Sequence, residues 1–159
     1  MYAKLLSLLN QITILDDREE ALVKESFKPF SIAKGAYFLE AGKINKHIGF
    51  INKGLVRYFV DKDGEEATFI FSKEGEFIAD YQSFSQHKVT IQTIQAIEDC
   101  ELLIIDYINV QHFFNTTRNG NFLGRIIIEN RFDVMVNQLL SIYLHNQEER
   151  YKKIHRDLR

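Results

Sequence analysis

The stretch KEGEFIADYQSFSQHKVTIQTIQAIEDCELLIID, residues 73–106, opens with Gly75-Glu76 in a charged turn and runs through a polar segment at 79–88. It then becomes apolar at Ile91, Thr93, Ile94, Ala96 and Ile97. β-branched residues dominate that last part and predict a strand. A brief helix or loop is thus held between two strands. The start of a helix placed there offers unpaired backbone N–H groups and a partial positive charge, which suit an anion of phosphate size. The same residues also read as an ordinary turn followed by an ordinary loop. Gly75, Glu76, Phe77, Ala79, Asp80, Lys88 and Thr90 are the candidate ligand-binding residues of this cassette.

Working outward, 159 residues suit one domain able to bury a core without disulfides or a structural metal. The hydrophobic share of 45% and the 26% of charged residues argue against both a disordered and a fibrous chain. A net charge of −2 gives no general attraction to nucleic acid. Cys100 is the lone cysteine, so neither a disulfide framework within the chain nor an iron–sulfur cluster is possible, and it reads as a small buried hydrophobe. The apolar run at the N-terminus is interrupted by Lys4, Asn10 and Gln11. It is too short to span a bilayer and lacks a small-residue cleavage site, which leads us to expect a cytoplasmic protein.

Leu5, Leu8, Leu9 and Ile12 recur at helical spacing. Asp16 or Asp17 then caps a second helix carrying Ala21, Leu22 and Phe27, with Glu19 and Glu20 in its first turn. From there the pattern becomes short strands at 30–33, 36–39, 47–52, 55–61 and 65–71, punctuated by Gly35, Gly42, Gly54, Gly64 and Gly75. This spacing, with no long helix between strands, predicts an α+β, mainly β fold: an antiparallel jelly-roll or double-stranded β-helix barrel. Asp63-Gly64 lies between two alternating apolar runs and predicts a tight hairpin, in which Tyr58 and Val60 face Thr68 and Ile70.

After Asp106, residues 107–114 read as a short helix, broken near Asn119-Gly120. A long helix follows to about residue 151. We place the barrel with its N-terminal helices at 1–115 and the long helix at 116–159. About 30 helical residues extend roughly 45 Å, more than a small barrel needs for its own cover. Ile128, Phe132, Met135, Leu139 and Ile142 are spaced by four and three, as in a coiled-coil seam, and suggest a homodimer. The same stripe also reads as the face that packs on the chain's own barrel. Ile126, Ile127, Val136, Leu140, Tyr143 and Leu144 form a second stripe, so each role has a face available.

Taken in order, these features resemble the sensor half of the Crp/Fnr family of bacterial transcription regulators, a cyclic-nucleotide-binding type of domain. The resemblance rests on Lys34-Gly35 with Leu39 and Gly42, the segment from Ile51 through Gly54 to Arg57, and the cassette Gly75-Glu76-Phe77. It continues with Ala96-Ile97-Glu98 leading into 102–106, and Glu148-Glu149-Arg150-Tyr151 near the C-terminus. It implies an effector-sensing domain that dimerises through its C-terminal helix, with DNA read by a helix-turn-helix domain that this sequence does not contain. In members that bind cyclic AMP, the cassette Glu holds the ribose hydroxyl and an Arg just before the last cassette strand pairs with the phosphate. Glu76 matches the first, but residues 87–92 contain no Arg. Lys88 offers a point charge without the planar fork that fits a phosphate. Losing that charge-assisted bond costs about 1.5–3 kcal/mol, roughly tenfold to a hundredfold in affinity. The resemblance therefore implies an effector other than standard cyclic AMP, or none.

No catalytic residues and no metal site are expected. His47, His87, His112, His145 and His155 are scattered without ligand spacing, and neither a nucleophile elbow nor a phosphate loop occurs. No cofactor is expected beyond an unidentified small-molecule or nucleotide effector. From a different functional class, the rival reading is a stand-alone interaction module with an empty pocket.

Overall fold

The computed structural model describes residues 1–144, apart from the side chains of Ser141 and Ile142. Two helices come first, α1 (Ala3–Ile12) and α2 (Asp17–Ser26). Asp16 starts α2 with a complete capping box: its carboxylate accepts the Glu19 N–H, and the Glu19 carboxylate accepts the Asp16 N–H. The buried face of α2 does not include its apolar Ala21 and Leu22. It is Glu19, Val23 and Ser26, with Phe27 buried just beyond. Glu19 can be buried because its oxygens are consumed, one by Asp16 and the other by the Arg118 N–H at 2.9 Å. Hydrophobicity alone would not choose a glutamate for that face.

Eight strands follow: β1 (Lys28–Ile32), β2 (Tyr37–Leu39), β3 (His47–Lys53), β4 (Val56–Lys62), β5 (Glu65–Ser72), β6 (Phe77–Ile78), β7 (Thr93–Ala96) and β8 (Cys100–Asp106). They form two antiparallel sheets of four, ordered β1-β8-β3-β6 and β2-β7-β4-β5. This is the predicted jelly roll. Its core draws on both sheets, with Ile51, Ile78 and Leu102 from one and Val56, Tyr58 and Ile94 from the other, all buried. Such burial of branched side chains is the main drive for closing the roll.

The β4–β5 hairpin turns at Asp63 and Gly64, with φ of 58° and 84°, the two left-handed residues that a two-residue hairpin turn requires. Tyr58 faces Ile70 as predicted. Val60, however, faces Ala67 and Thr68 faces Phe59, because a bulge between Tyr58 and Phe59 shifts the register by one. Ile91, predicted in a strand, lies outside β7. Thr90 Oγ1 accepts the Gln92 N–H at 2.9 Å, closing a small turn that takes Ile91 out of the ladder.

Between β6 and β7 sits α3 (Tyr81–Gln86), and α4 (Tyr107–Thr116) follows β8. Asp106 caps α4 by accepting the Asn109 N–H at 2.8 Å. The chain divides into two units, Met1–Gly120 and Asn121–Arg159. The helix α5 (Gly120–Leu144) is described over 25 residues, about 38 Å. The predicted end of the long helix, the Glu148-Glu149-Arg150-Tyr151 motif, His145 and His155 lie outside the described residues.

Candidate functional site: the cassette around helix α3

The cassette begins at a turn whose amides are already used. The Gly75 N–H donates to Ile51 O at 2.8 Å and the Glu76 N–H to Lys73 O at 3.1 Å, while the Ile51 N–H donates to Glu76 O at 3.0 Å. Gly75 has φ of 84°, the left-handed conformation that favours glycine there. From α1, Lys4 donates to Asn52 O at 2.7 Å and to Glu74 Oε2 at 2.5 Å, so α1 is pinned to this turn. The Lys4 hydrogen bond holds the Glu74 carboxyl below the usual carboxylate range. Phe77 packs its ring on Phe50, with centroids 5.2 Å apart, and Ile78 lies so close to Gly49 that a Cβ there would sit 2.9 Å from Ile78 Cγ1.

Beyond Ile78 the polar groups close on one another. The Ala79 N–H donates to the Tyr58 hydroxyl at 3.3 Å. Asp80 is buried and caps α3: Oδ1 accepts the Ser83 N–H at 3.1 Å and Oδ2 accepts the Thr90 hydroxyl at 2.5 Å. The Asp80 N–H donates to Asn45 Oδ1 at 2.7 Å, and the Asn45 N–H donates to Ser83 Oγ at 2.9 Å. The Ser83 hydroxyl in turn donates to Lys88 O at 2.5 Å. The segment at 42–47, α3 and the segment at 88–90 are therefore fastened as one body. A carboxylate thus occupies the start of α3, where the helix could have offered its amides to an anion, and its charge disfavours a second anion beside it.

Of the candidate cassette residues, the structure joins Asp80, Thr90 and the carbonyl of Lys88 directly through this network. Gly75 and Glu76 instead hydrogen-bond to β3 through their backbone. The Lys88 side chain is exposed. Asn45, Ser83 and Tyr58 belong to the network but are not among the candidate cassette residues. Only for Ser83 was there a local signal, its place three residues after the capping Asp80. The fork that a phosphate would require is not supplied by Arg57 either. Its Nε and Nη2 donate to Gln95 Oε1 at 2.9 and 2.6 Å, it pairs with Glu66, and it lies 4.4 Å over the Phe59 ring.

On α5, Ile128, Phe132, Met135 and Leu139 are 42%, 65%, 53% and 55% exposed. Ile142 lies in the same helix, with its side chain outside the described residues. Among the described residues, no three His, Cys, Asp or Glu side chains come together as a metal site, and no helix is long and apolar enough to cross a membrane.

The model of the cyclic nucleotide-binding domain matches residues 29–117, more than half the chain, and the chain belongs to that family. Comparison with curated proteins gave no match. Among solved structures, the chain is similar to a cyclic nucleotide-binding domain from Methylobacillus flagellatus, with 14% identity, 92% of this chain and 86% of that one covered, and a TM-score of 0.75. It is also similar to the catabolite activator protein of Thermus thermophilus, with 18% identity, 86% and 63% covered, and a TM-score of 0.68. For the sensor domain of the regulator DNR from Pseudomonas aeruginosa the values are 16%, 86% and 91%, and 0.67. The chain spans less than two thirds of the Thermus protein. At these identities the likeness is one of fold, and it agrees with the Crp/Fnr-like sensor architecture expected from the sequence.

Proposed function

We propose that this chain is the effector-sensing and dimerisation part of a Crp/Fnr-type transcription regulator, acting in the cytoplasm, with DNA contacted by residues outside this sequence. The observation that carries the reading is the position of α3. It lies between β6 and β7 of a cyclic-nucleotide-binding barrel, anchored at both ends by the Asp80 network. An effector that disturbs or completes this network changes the order of the cassette. Two α5 helices paired through Ile128, Phe132, Met135 and Leu139 would pass that change on as a change of angle or register. The effector is not a standard cyclic nucleotide. The buried carboxylate of Asp80 and the absence of Arg from 87–92 both weigh against a phosphate.

A second reading is a stand-alone dimerisation or interaction module that takes no effector. It is favoured by the internal hydrogen bonding of the cassette, in which Tyr58 takes the Ala79 amide and Thr90 takes the free oxygen of Asp80. Calorimetry of the chain against cyclic AMP, cyclic GMP and a panel of uncharged small metabolites distinguishes the two. The sensor reading expects heat from a compound without a phosphate and none from either cyclic nucleotide. Silence across the whole panel favours the module.

A further inference from the structure

The segments that close the cassette carry a surface of their own. Residues 42–44 run antiparallel to 89–90: the Gly42 N–H donates to Thr90 O and the Thr90 N–H to Lys43 O, both at 2.8 Å, and Ile44 bridges Val89. This ribbon is tied to α3 through Asn45 and Ser83, so it is a fixed feature rather than a loose loop. The chain has a net charge of −2, yet no Asp or Glu occurs between residues 41 and 60 or between 81 and 97. Lys43, Lys46 and Lys88 are exposed and enter no ion pair among the described residues.

Between these cations the ribbon presents aliphatic side chains to water: Ile44 is 39%, Val89 66% and Ile91 79% exposed. Single exposed apolar residues are ordinary, but here Ile44 bridges Val89 across the ribbon, exposed Ile91 follows two residues on, and Lys43 and Lys88 stand next to the bridged pair in the chain. Beside it lies a groove of about 190 Å³, with Tyr37, Lys43, Ile44 and Lys46 among its walls and Glu40 at one side.

We propose that this ribbon and groove are a docking surface for an acidic segment of a partner protein, one with aliphatic side chains spaced between its carboxylates. Charge complementarity selects the partner. Lysines that enter no ion pair among the described residues attract and orient carboxylates, while Ile44, Val89 and Ile91 gain by losing contact with water. Exposed ion pairs alone contribute little, so the apolar half of the match is needed. Glu40 in the groove wall and the small number of cations set the surface against the continuous charge of a nucleic acid or an anionic bilayer. The groove accepts a side chain, which a flat membrane surface does not offer. The patch is small, and the contact it makes is transient. This surface acts whether or not an effector enters the barrel.

The test is a titration of the isotopically labelled full chain with a short synthetic peptide that alternates Asp or Glu with Leu or Ile, followed by amide chemical shifts. The parallel titrations use a Lys-Leu peptide, duplex DNA and vesicles containing phosphatidylserine. The acidic peptide is expected to shift the amides of residues 42–46 and 88–91 saturably. The Lys43→Glu, Lys46→Glu double variant is expected to weaken that binding about tenfold or more, since it replaces attraction by repulsion. Both lysines are exposed and unpaired, so its thermal midpoint should match the parent, which keeps loss of binding separate from loss of fold. Val89→Ser, which leaves the charges in place, is expected to weaken binding severalfold. Absence of binding by the acidic peptide overturns the proposal, as do shifts centred elsewhere or equal binding of the Lys-Leu peptide. Preferential binding of the DNA or the vesicles at the ribbon also overturns it.

Discussion

Thr90 Oγ1 donates a hydrogen bond of 2.5 Å to Asp80 Oδ2 in the buried heart of the cassette, while the other oxygen of Asp80 caps α3. This pair decides what the cassette can accept. The carboxylate has taken up the first-turn amide of the helix and the nearest hydroxyl, leaving it satisfied by the chain itself.

Thr90→Val keeps the shape of the side chain but leaves Asp80 Oδ2 without its donor in a buried site. The expected loss is about 1–3 kcal/mol of unfolding free energy, read from urea denaturation. Asp80→Ala also removes the α3 cap and is expected to lose more. A Thr90→Val variant as stable as the parent would show that the pair does not hold the cassette.

Gly54 joins β3 to β4 with φ of 110°, and a Cβ built on it would lie 2.5 Å from Cys100 Sγ and 2.9 Å from Cys100 Cα. Gly54→Ala therefore combines an unfavourable backbone region with a clash against a backbone atom that cannot rotate away. A loss of at least about 1–3 kcal/mol is expected, visible as a lowered thermal midpoint. Gly64→Ala, also at positive φ but with nothing within 4 Å, separates the two contributions and is expected to lose less.

Burial pushes the Cys100 thiol above its ordinary range, with weaker contributions from Glu98 and Asp99 in the same direction. The native state thus keeps the proton to higher pH than the unfolded chain, whose thiol ionises near its usual pKa of about 8.5. Stability from this group is fully present below that pH and is lost as pH rises through the raised native value. Urea midpoints at pH 7 and pH 10 should therefore fall further for the parent than for Cys100→Ala. Equal falls would remove the buried thiol as the cause.

Much of the architecture was legible from local patterns. Asp16 and Glu19 announce a capping box, and Asp63-Gly64 specifies a turn that few other dipeptides can make. The errors came where distant segments decide. Glu19 is buried because Arg118, ninety-nine residues away, supplies an amide. The bulge at Tyr58 and Phe59 displaced the pairing beyond it, and the Thr90 hydroxyl drew Ile91 out of its strand. At the cassette, Asp80 and Thr90 were recognisable as residue types, but Asn45, which accepts the Asp80 amide, and Tyr58, which accepts the Ala79 amide, come from other strands and loops and carry no local signal.

The account rests on two copies of the chain communicating through α5, and sedimentation equilibrium of the chain tests this most directly. A mass about twice 18.7 kDa is predicted, dropping to that of a single chain in Ile128→Asp and Leu139→Asp, which bury an unpaired charge in the seam. A parent that sediments as a single chain, or variants that keep the doubled mass, would contradict it.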